Sequence, residues 1–331
     1  MRIDMKKLTS IPVTELIYRA AEILRAGGLV AFPTETVYGL GANALSEVAV
    51  RRIFEAKGRP ATNPIIVHVA SIDAARQLTG QWNDTAQKLA AHFWPGPLSL
   101  VLPRHSSIPD AVTAGGPTVA IRIPNHPIAL SLMRVADLPI AAPSANRSNS
   151  ISPTTAQHVA TGLDGKVDMI LDGGPCSGGI ESTVVYPEQD RIVLLRPGGI
   201  TISELETVAG VPVVTGEKHR GATAASPGML PRHYAPRAKL ILSPCGSPEC
   251  VERLVESQRK IGWIRIGTGA EIPGVTLVEM PDDPVAYAVL LYKTLHDLDH
   301  QCMDIIVCDA PPDGPEWLGV RDRLSKASVD A

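Results

Sequence analysis

The sequence predicts two α/β units in series, the second smaller than the first. Three observations lead there. Short apolar runs of strand length alternate with stretches of helical period, the pattern of layered α/β folds. That periodicity vanishes from Gly216 to Arg237 and resumes afterwards. A chain of 331 residues, 44% of them apolar, is long enough to fill two cores. The boundaries read as 1–215 for the first unit, 216–238 for a linker and 239–331 for a small doubly wound unit.

Thr14 stands where a helix N-cap would be, ahead of an apolar stripe of Ile17, Ala20, Ala21 and Leu24 that stops at Gly27-Gly28. Leu29–Phe32 is a strand ended by Pro33. Ser46 caps a second helix running through Ile53 and Phe54 and closed by Gly58. Further strands are expected at Ile65–Val69, Leu98–Leu102, Val119–Ile123, Pro139–Ala142, Met169–Leu171, Ser182–Val185 and Ile192–Leu195. After the linker, strands are expected at Lys239–Leu242, Ile261–Ile266, Val275–Val278 and Asp304–Val307, with helices at Cys250–Arg259 and Val285–Leu298. The linker stretch carries Met, Tyr, His and several Arg, and aperiodic segments of that length are often functional.

Composition excludes several classes. The net charge is −3, split as +2 over residues 1–200 and −5 over 201–331, which suggests an anionic ligand on the first unit, or equally a solvated surface, and argues against a nucleic-acid coat. Three Phe, four Trp and six Tyr leave little material for base stacking. Five cysteines at unmatched spacings, with no CxxC and no HExxH, support neither a disulfide framework nor structural zinc. No run of apolar residues approaches a membrane span and the N-terminus resembles no signal peptide, so a soluble, cytoplasmic protein is expected.

Gly39-Leu40-Gly41-Ala42-Asn43-Ala44 matches a dinucleotide pattern, but six residues separate it from the strand ending at Phe32, where a Rossmann turn has almost none. No phosphate-binding GxxxxGK[ST] loop and no G-x-S-x-G elbow occurs. More informative are polar residues isolated on apolar strands. Alternation sets Arg122 against Val119, Ile121 and Ile123, and His68 against Ile65, Val67 and Val69. Ser182 and Arg196 bound short apolar runs. Each alone equally fits a solvated sheet face; together they point to an anion site. Three loops agree. Lys57-Gly58-Arg59-Pro60-Ala61-Thr62-Asn63-Pro64 suits a polyphosphate, or simply complements a helix C-terminus. Pro143–Ser148 offers hydroxyls and amides to a nucleotide, or only starts a turn. Asp172–Gly179 is a backbone anion nest or a flexible turn.

Several motifs carry a resemblance. Pro33-Thr34-Glu35-Thr36-Val37-Tyr38-Gly39-Leu40, Lys57-Gly58-Arg59-Pro60, Trp94-Pro95-Gly96-Pro97, Ala142-Pro143-Ser144-Ala145-Asn146 and Ser182-Thr183-Val184 resemble the YrdC-like catalytic domain. Ser226-Pro227-Gly228-Met229 and His233-Tyr234-Ala235-Pro236 resemble the linker of the long, two-domain form of the threonylcarbamoyl-AMP synthase family. The resemblance implies a YrdC-like twisted mixed sheet with flanking helices and a concave basic cavity, followed by a small Rossmann-like domain. It also implies a nucleotidyltransferase that joins L-threonine, bicarbonate or CO2, and ATP into L-threonylcarbamoyladenylate and releases pyrophosphate. That product feeds N6-threonylcarbamoylation of adenosine 37 in tRNA, through a separate transferase complex.

By the same resemblance, threonine is held by Thr36, His68, Arg122, the Ala142 backbone and Ser182. ATP is held by Arg59, Asn63, Thr118, Ser144, Ser152, Arg196 and, from the linker acting as a lid, Tyr234. Lys57 and Arg59 neutralise charge on the phosphates or the carbamate, Mg2+ arrives with the ATP phosphates rather than on protein ligands, and no covalent intermediate is needed. Two other readings of the same residues stand beside this one: a non-catalytic RNA-binding module, and a carbamoyl-adenylate enzyme with another substrate. Whether tRNA itself binds is left open by the sequence.

Overall fold

A computed structural model describes residues 12–215, 234–243, 248–255, 259–269 and 271–329. The first part runs α1 (Val13–Arg25), β1 (Val30–Phe32), β2 (Gly39–Asn43), α2 (Glu47–Lys57), β3 (Ile66–His68), α3 (Ile72–Gln77), α4 (Asp84–Phe93), β4 (Leu98–Pro103) and α5 (Asp110–Thr113). It continues with β5 (Thr118–Arg122), α6 (Pro127–Ala136), β6 (Ile140–Ala141), α7 (Ala156–Leu163), β7 (Met169–Ile170), β8 (Thr183–Pro187), β9 (Ile192–Arg196), α8 (Ile202–Ala209) and β10 (Val213–Thr215). These strands form one mixed sheet in the order β10-β9-β8-β4-β5-β3-β6-β2-β1-β7. The second part comprises β11 (Lys239–Ser243), α9 (Pro248–Val255), β12 (Ile261–Ile266), β13 (Val275–Met280), α10 (Pro284–His300), β14 (Ile305–Asp309) and α11 (Leu318–Ala327). Its sheet, β11-β14-β12-β13, is parallel throughout, as a small doubly wound unit requires. The expected linker lies outside the described residues as far as position 233. Among the described residues no helix is long and apolar enough to cross a membrane.

Ser46 does cap α2, accepting the Ala49 N–H, and Gly58 ends that helix in the left-handed conformation at φ 59°. The α1 start differs from expectation. Pro12 is the N-cap residue and Thr14 lies inside the first turn without a capping bond, because a proline is already set for the turn into a helix. The Gly39–Asn43 stretch is a strand, not a phosphate-binding turn. A Cβ on Gly41 would lie 2.8 Å from both Phe32 and Ile140, so glycine there serves strand packing.

Arg122 and His68 do not sit on a solvated face. They are 3% and 4% exposed, so both lie in the interior. β3 and β5 pair in parallel with Ile66 opposite Ala120 and His68 opposite Arg122. The two polar side chains are therefore lateral neighbours on one face, above a small apolar cluster of Ile66, Val101, Ala120 and Val184. On β9, Arg196 lies opposite Val184 of β8, which brings it to that same face. The second part docks against this edge. Val37, Ile151 and Ile180 share one apolar cluster with Tyr234, Tyr287, Leu291 and Tyr292.

Candidate active site

The loop between β1 and β2 is wired internally. The Thr34 hydroxyl donates to the Val37 carbonyl at 2.7 Å and accepts from the Thr36 and Val37 N–H groups. This turn points Glu35 and Thr36 at β5. There Arg122 donates from Nη1 to the Thr36 hydroxyl (3.0 Å) and from Nε to the Gly96 carbonyl (3.1 Å). Its Nη2 lies 2.7 Å from Glu35 Oε1, close enough to pair but not aligned as a hydrogen bond, so both groups keep unused capacity. His68 is neutral at physiological pH, since burial and then the Arg122 charge push its pKa down to about 3.

Across the sheet, Arg196 donates to the Ser182 carbonyl through Nε and Nη2 and to its hydroxyl through Nη2. Ser182 Oγ also lies 2.8 Å from Ser99 Oγ. Arg59 follows the α2 C-cap and donates to the Asn63 and Pro64 carbonyls, curling the 57–64 loop around itself. Burial, opposed by Tyr234 and helped by Arg196, lowers its pKa to about 10, so it stays cationic. Asn63 Nδ2 is buried without a hydrogen-bond partner. Ser144 Oγ donates to Asn146 Oδ1 at 2.6 Å, and the Ala142 N–H is spent on the Ile66 carbonyl.

These groups surround one hollow, whose ≈ 540 Å³ of free space includes its opening to solvent. Thr36, Arg59, His68, Arg122, Ala142, Ser144, Ser182, Arg196 and Tyr234 all line it, with Thr34, Val37, Gly39, Ile66, Pro143 and Glu181. The hollow thus presents three guanidinium-bearing residues against two nearby carboxylates, Glu35 and Glu181, in a setting where water is scarce and charge effects are strong.

Lys57, Asn63, Thr118 and Ser152 stand outside that lining. Thr118 begins β5, four residues before Arg122, which is about 13 Å along a strand. Ser152 is fully buried and donates to Glu181 Oε1 at 2.5 Å. Lys57 is held by the neighbouring loop. Its Nζ donates to the Ser144 carbonyl and to the carbonyl and side-chain oxygens of Asn146, and three acceptors consume all three ammonium N–H groups. Burial and the Arg59 charge pull its pKa well below the usual lysine range, yet these oxygens require the charged form. Its charge therefore braces the 143–147 loop rather than reaching into the hollow. The Asp172–Gly179 loop is not an anion nest either. Its Gly173, Gly174 and Gly178 N–H groups go to the Tyr38 hydroxyl, the Asp172 carboxylate and the Glu35 carbonyl.

Two acidic residues and one cation escaped the sequence reading. Glu35 stood inside a quoted motif without a role. Glu181 and its partner Arg323, on α11, are separated by most of the second part of the chain. Among the described residues no cluster of three or more His, Cys, Asp or Glu is arranged to hold a metal ion.

Comparison with known proteins identifies the family. The Sua5/YciO/YrdC family profile, described as "Telomere recombination", matches residues 22–198. The profile "Threonylcarbamoyl-AMP synthase, C-terminal domain" matches residues 200–329. The threonylcarbamoyl-AMP synthase of Bacillus subtilis is 46% identical over 322 residues, covering 94% of this chain and 92% of that one. The Pyrococcus abyssi protein of the same name is 45% identical, covering 93% of each. The crystal structure of P. abyssi Sua5 complexed with L-threonine superposes with a TM-score of 0.87 at 40% identity, covering 100% of this chain and 98% of that one. Escherichia coli YciO, 22% identical with a TM-score of 0.53, shares the fold of the first part, covering 59% of this chain and 95% of its own. The chain belongs to the Sua5/YciO/YrdC family, in the two-part form that ends in the threonylcarbamoyl-AMP synthase C-terminal domain.

Proposed function

We propose that the protein is a nucleotidyltransferase that condenses L-threonine, bicarbonate or CO2, and ATP into L-threonylcarbamoyladenylate with release of pyrophosphate. The observation that carries this reading is the pairing of identity along nearly the whole chain with relatives of that name and a hollow whose lining suits both substrates.

The residues divide the work by position. Arg122, braced by Thr36 and Gly96, presents its outer nitrogen edge to the amino-acid carboxylate, with Glu35 giving way as the competing anion. Neutral His68 beside it offers the threonine hydroxyl a hydrogen-bond partner without adding a second charge. At the other end Arg59, Arg196 and Ser144 face the nucleotide. Once threonine's amine has lost a proton and captured CO2, the carbamate oxygen attacks the α-phosphorus and pyrophosphate leaves. Such transfers depend on alignment and charge cancellation rather than on a nucleophile of the enzyme. Mg2+, brought by the ATP phosphates, would neutralise part of their charge. Lys57 acts indirectly by fixing the Ser144–Asn146 loop, and Asn63 and Ser152 support the nucleotide end from just behind the lining. Thr118 stands too far along β5 to join Arg122, so a nucleotide role for it requires ATP to extend beyond the hollow. Tyr234, which lines the hollow, helps to exclude water, which would hydrolyse the carbamate and the mixed anhydride. The product then passes to a cytoplasmic transferase acting on tRNA.

Purified protein should release pyrophosphate only when threonine, bicarbonate and ATP are all present. Release that ignores threonine, or its absence with all three, would refute the assignment.

A further inference from the structure

Among the described residues, a buried polar junction joins the two parts of the chain at Arg323 and Glu181. Arg323, on α11, is 1% exposed. Its Nε donates to Glu181 Oε2 at 2.7 Å, its Nη2 to the Glu181 main-chain carbonyl at 3.2 Å and its Nη1 to Asp322. The same Glu181 carboxylate accepts from Tyr292 on α10 at 3.0 Å and from Ser152 at 2.5 Å. The guanidinium also stands over the Tyr234 ring, 5.2 Å from its centroid. Burial alone would raise the Glu181 pKa, but Arg323, Arg196 and the Ser152 hydrogen bond hold it at about 2, so the pair is ionic.

The backbones meet closely enough to enforce this contact. A Cβ on Gly319 would fall 2.6 Å from the Gly198 carbonyl, and one on Gly179 would fall 2.0 Å from that of Ala288. An apolar pair of similar volume would hold such an interface at least as well, because burying two charges costs about as much as their attraction returns. What an ion pair adds is direction. Glu181 lines the hollow and precedes Ser182, whose carbonyl and hydroxyl receive Arg196.

We infer that Arg323 and Glu181 are positioning residues through which the C-terminal part sets the nucleotide end of the active site. Arg323 fixes the carboxylate and carbonyl of Glu181. Glu181 in turn fixes Ser152 and the start of the Ser182–Arg196 contact, while the guanidinium holds the Tyr234 ring in place. Of the residues read as holding threonine, Thr36, His68 and Arg122 are anchored within the first part and lie outside this chain of contacts, whereas Ser182 meets it through Arg196. This inference rests on the proposed reaction for its substrate names.

The test uses the full chain carrying Arg323→Lys, which keeps a cation for Glu181 but loses the fork and the ring cover. Pyrophosphate release is measured against ATP and against threonine, ATP binding by calorimetry, and folding by thermal melting. The expected result is an ATP KM and Kd raised about tenfold, the loss of a charge-assisted bond, with the threonine KM moved less, since only Ser182 of its residues touches this chain of contacts. A merely structural role would lower the active fraction and leave both KM values and the ATP Kd alone; that outcome overturns the inference. If Arg323→Lys fails to fold, the paired Glu181→Gln, Arg323→Met variant leaves no orphan charge, and an unchanged ATP Kd there overturns it equally. Calorimetry needs no turnover, so wild-type protein that binds ATP yet releases no pyrophosphate would overturn the reaction while the pair is still judged by its Kd.

Discussion

Replacing Arg122 by alanine gives the sharpest test of the amino-acid end. The side chain is 4% exposed and touches Thr36, Gly96 and Glu35, so its guanidinium meets any incoming carboxylate in a largely dry setting. A charge-assisted hydrogen bond there contributes roughly 1.5–3 kcal/mol. At about 1.4 kcal/mol per decade, its loss raises the threonine KM by roughly one to two decades. The ATP KM should move far less. The substitution also strands Glu35 without its counter-charge, and breaking a buried pair costs about 3–5 kcal/mol of stability. Kinetics therefore belong well below the variant's melting temperature, beside Arg122→Lys, which keeps the charge and loses the fork. That variant should fall between wild type and Arg122→Ala. The assay is pyrophosphate release with threonine varied at saturating ATP and bicarbonate. A threonine KM unchanged in Arg122→Ala, in protein shown to be folded, would refute the assignment.

Lys57→Met takes the ammonium donor from the Ser144 and Asn146 carbonyls and leaves Asn146 Oδ1 with the Ser144 hydroxyl alone, so thermal melting should show a loss of roughly 2–5 kcal/mol; a variant as stable as wild type would refute the bracing role. Gly179→Ala sets a Cβ against the Ala288 carbonyl at a backbone φ of +74°, and limited proteolysis should show the two parts separating more readily; unchanged cleavage would contradict the close approach. His158 and His296 stack at 3.8 Å where the two parts meet, with Asp297, Asp299 and Lys293 nearby. Burial lowers both pKa values, that of His158 to about 4 with help from His296. The folded state resists protons that the unfolded chain takes up below about 6.5, so this pair's stabilisation is full above 6.5 and declines as pH falls toward 4. Urea melts from pH 7.5 to 4.5 should show a steeper decline in wild type than in His158→Gln; equal slopes would remove the pair from the acid response.

Much of the fold was legible because alternation and helical period are local properties. Ser46 and Gly58 mark α2 at both ends, and the apolar runs mark most of the strands. The missed β2 shows the limit. Its Gly39 and Gly41 weaken any strand signal, and their purpose appears only when Phe32 and Ile140 are seen packed against Gly41. Arg122 and His68 stood out as polar residues on apolar strands, but their lateral pairing depends on β3 joining β5 in parallel, which no local pattern announces. Lys57 illustrates a different limit. Its neighbourhood to Arg59 suggested phosphate chemistry, whereas its donors are spent on a loop 87 and 89 residues away. Arg323 left a trace that went unread. It shares a helical face with the buried Val320, Leu324 and Ala327, and a lone arginine on such a face signals a buried partner.

The central claim is that one hollow holds the amino acid and the triphosphate side by side. A crystal structure of the full chain with L-threonine and a non-hydrolysable ATP analogue tests it most directly. The expected density places the threonine carboxylate on Arg122 next to His68, with the phosphates toward Arg59, Ser144 and Arg196 in the same enclosure. Nucleotide bound elsewhere on the molecule, or threonine seated away from Arg122, would contradict it.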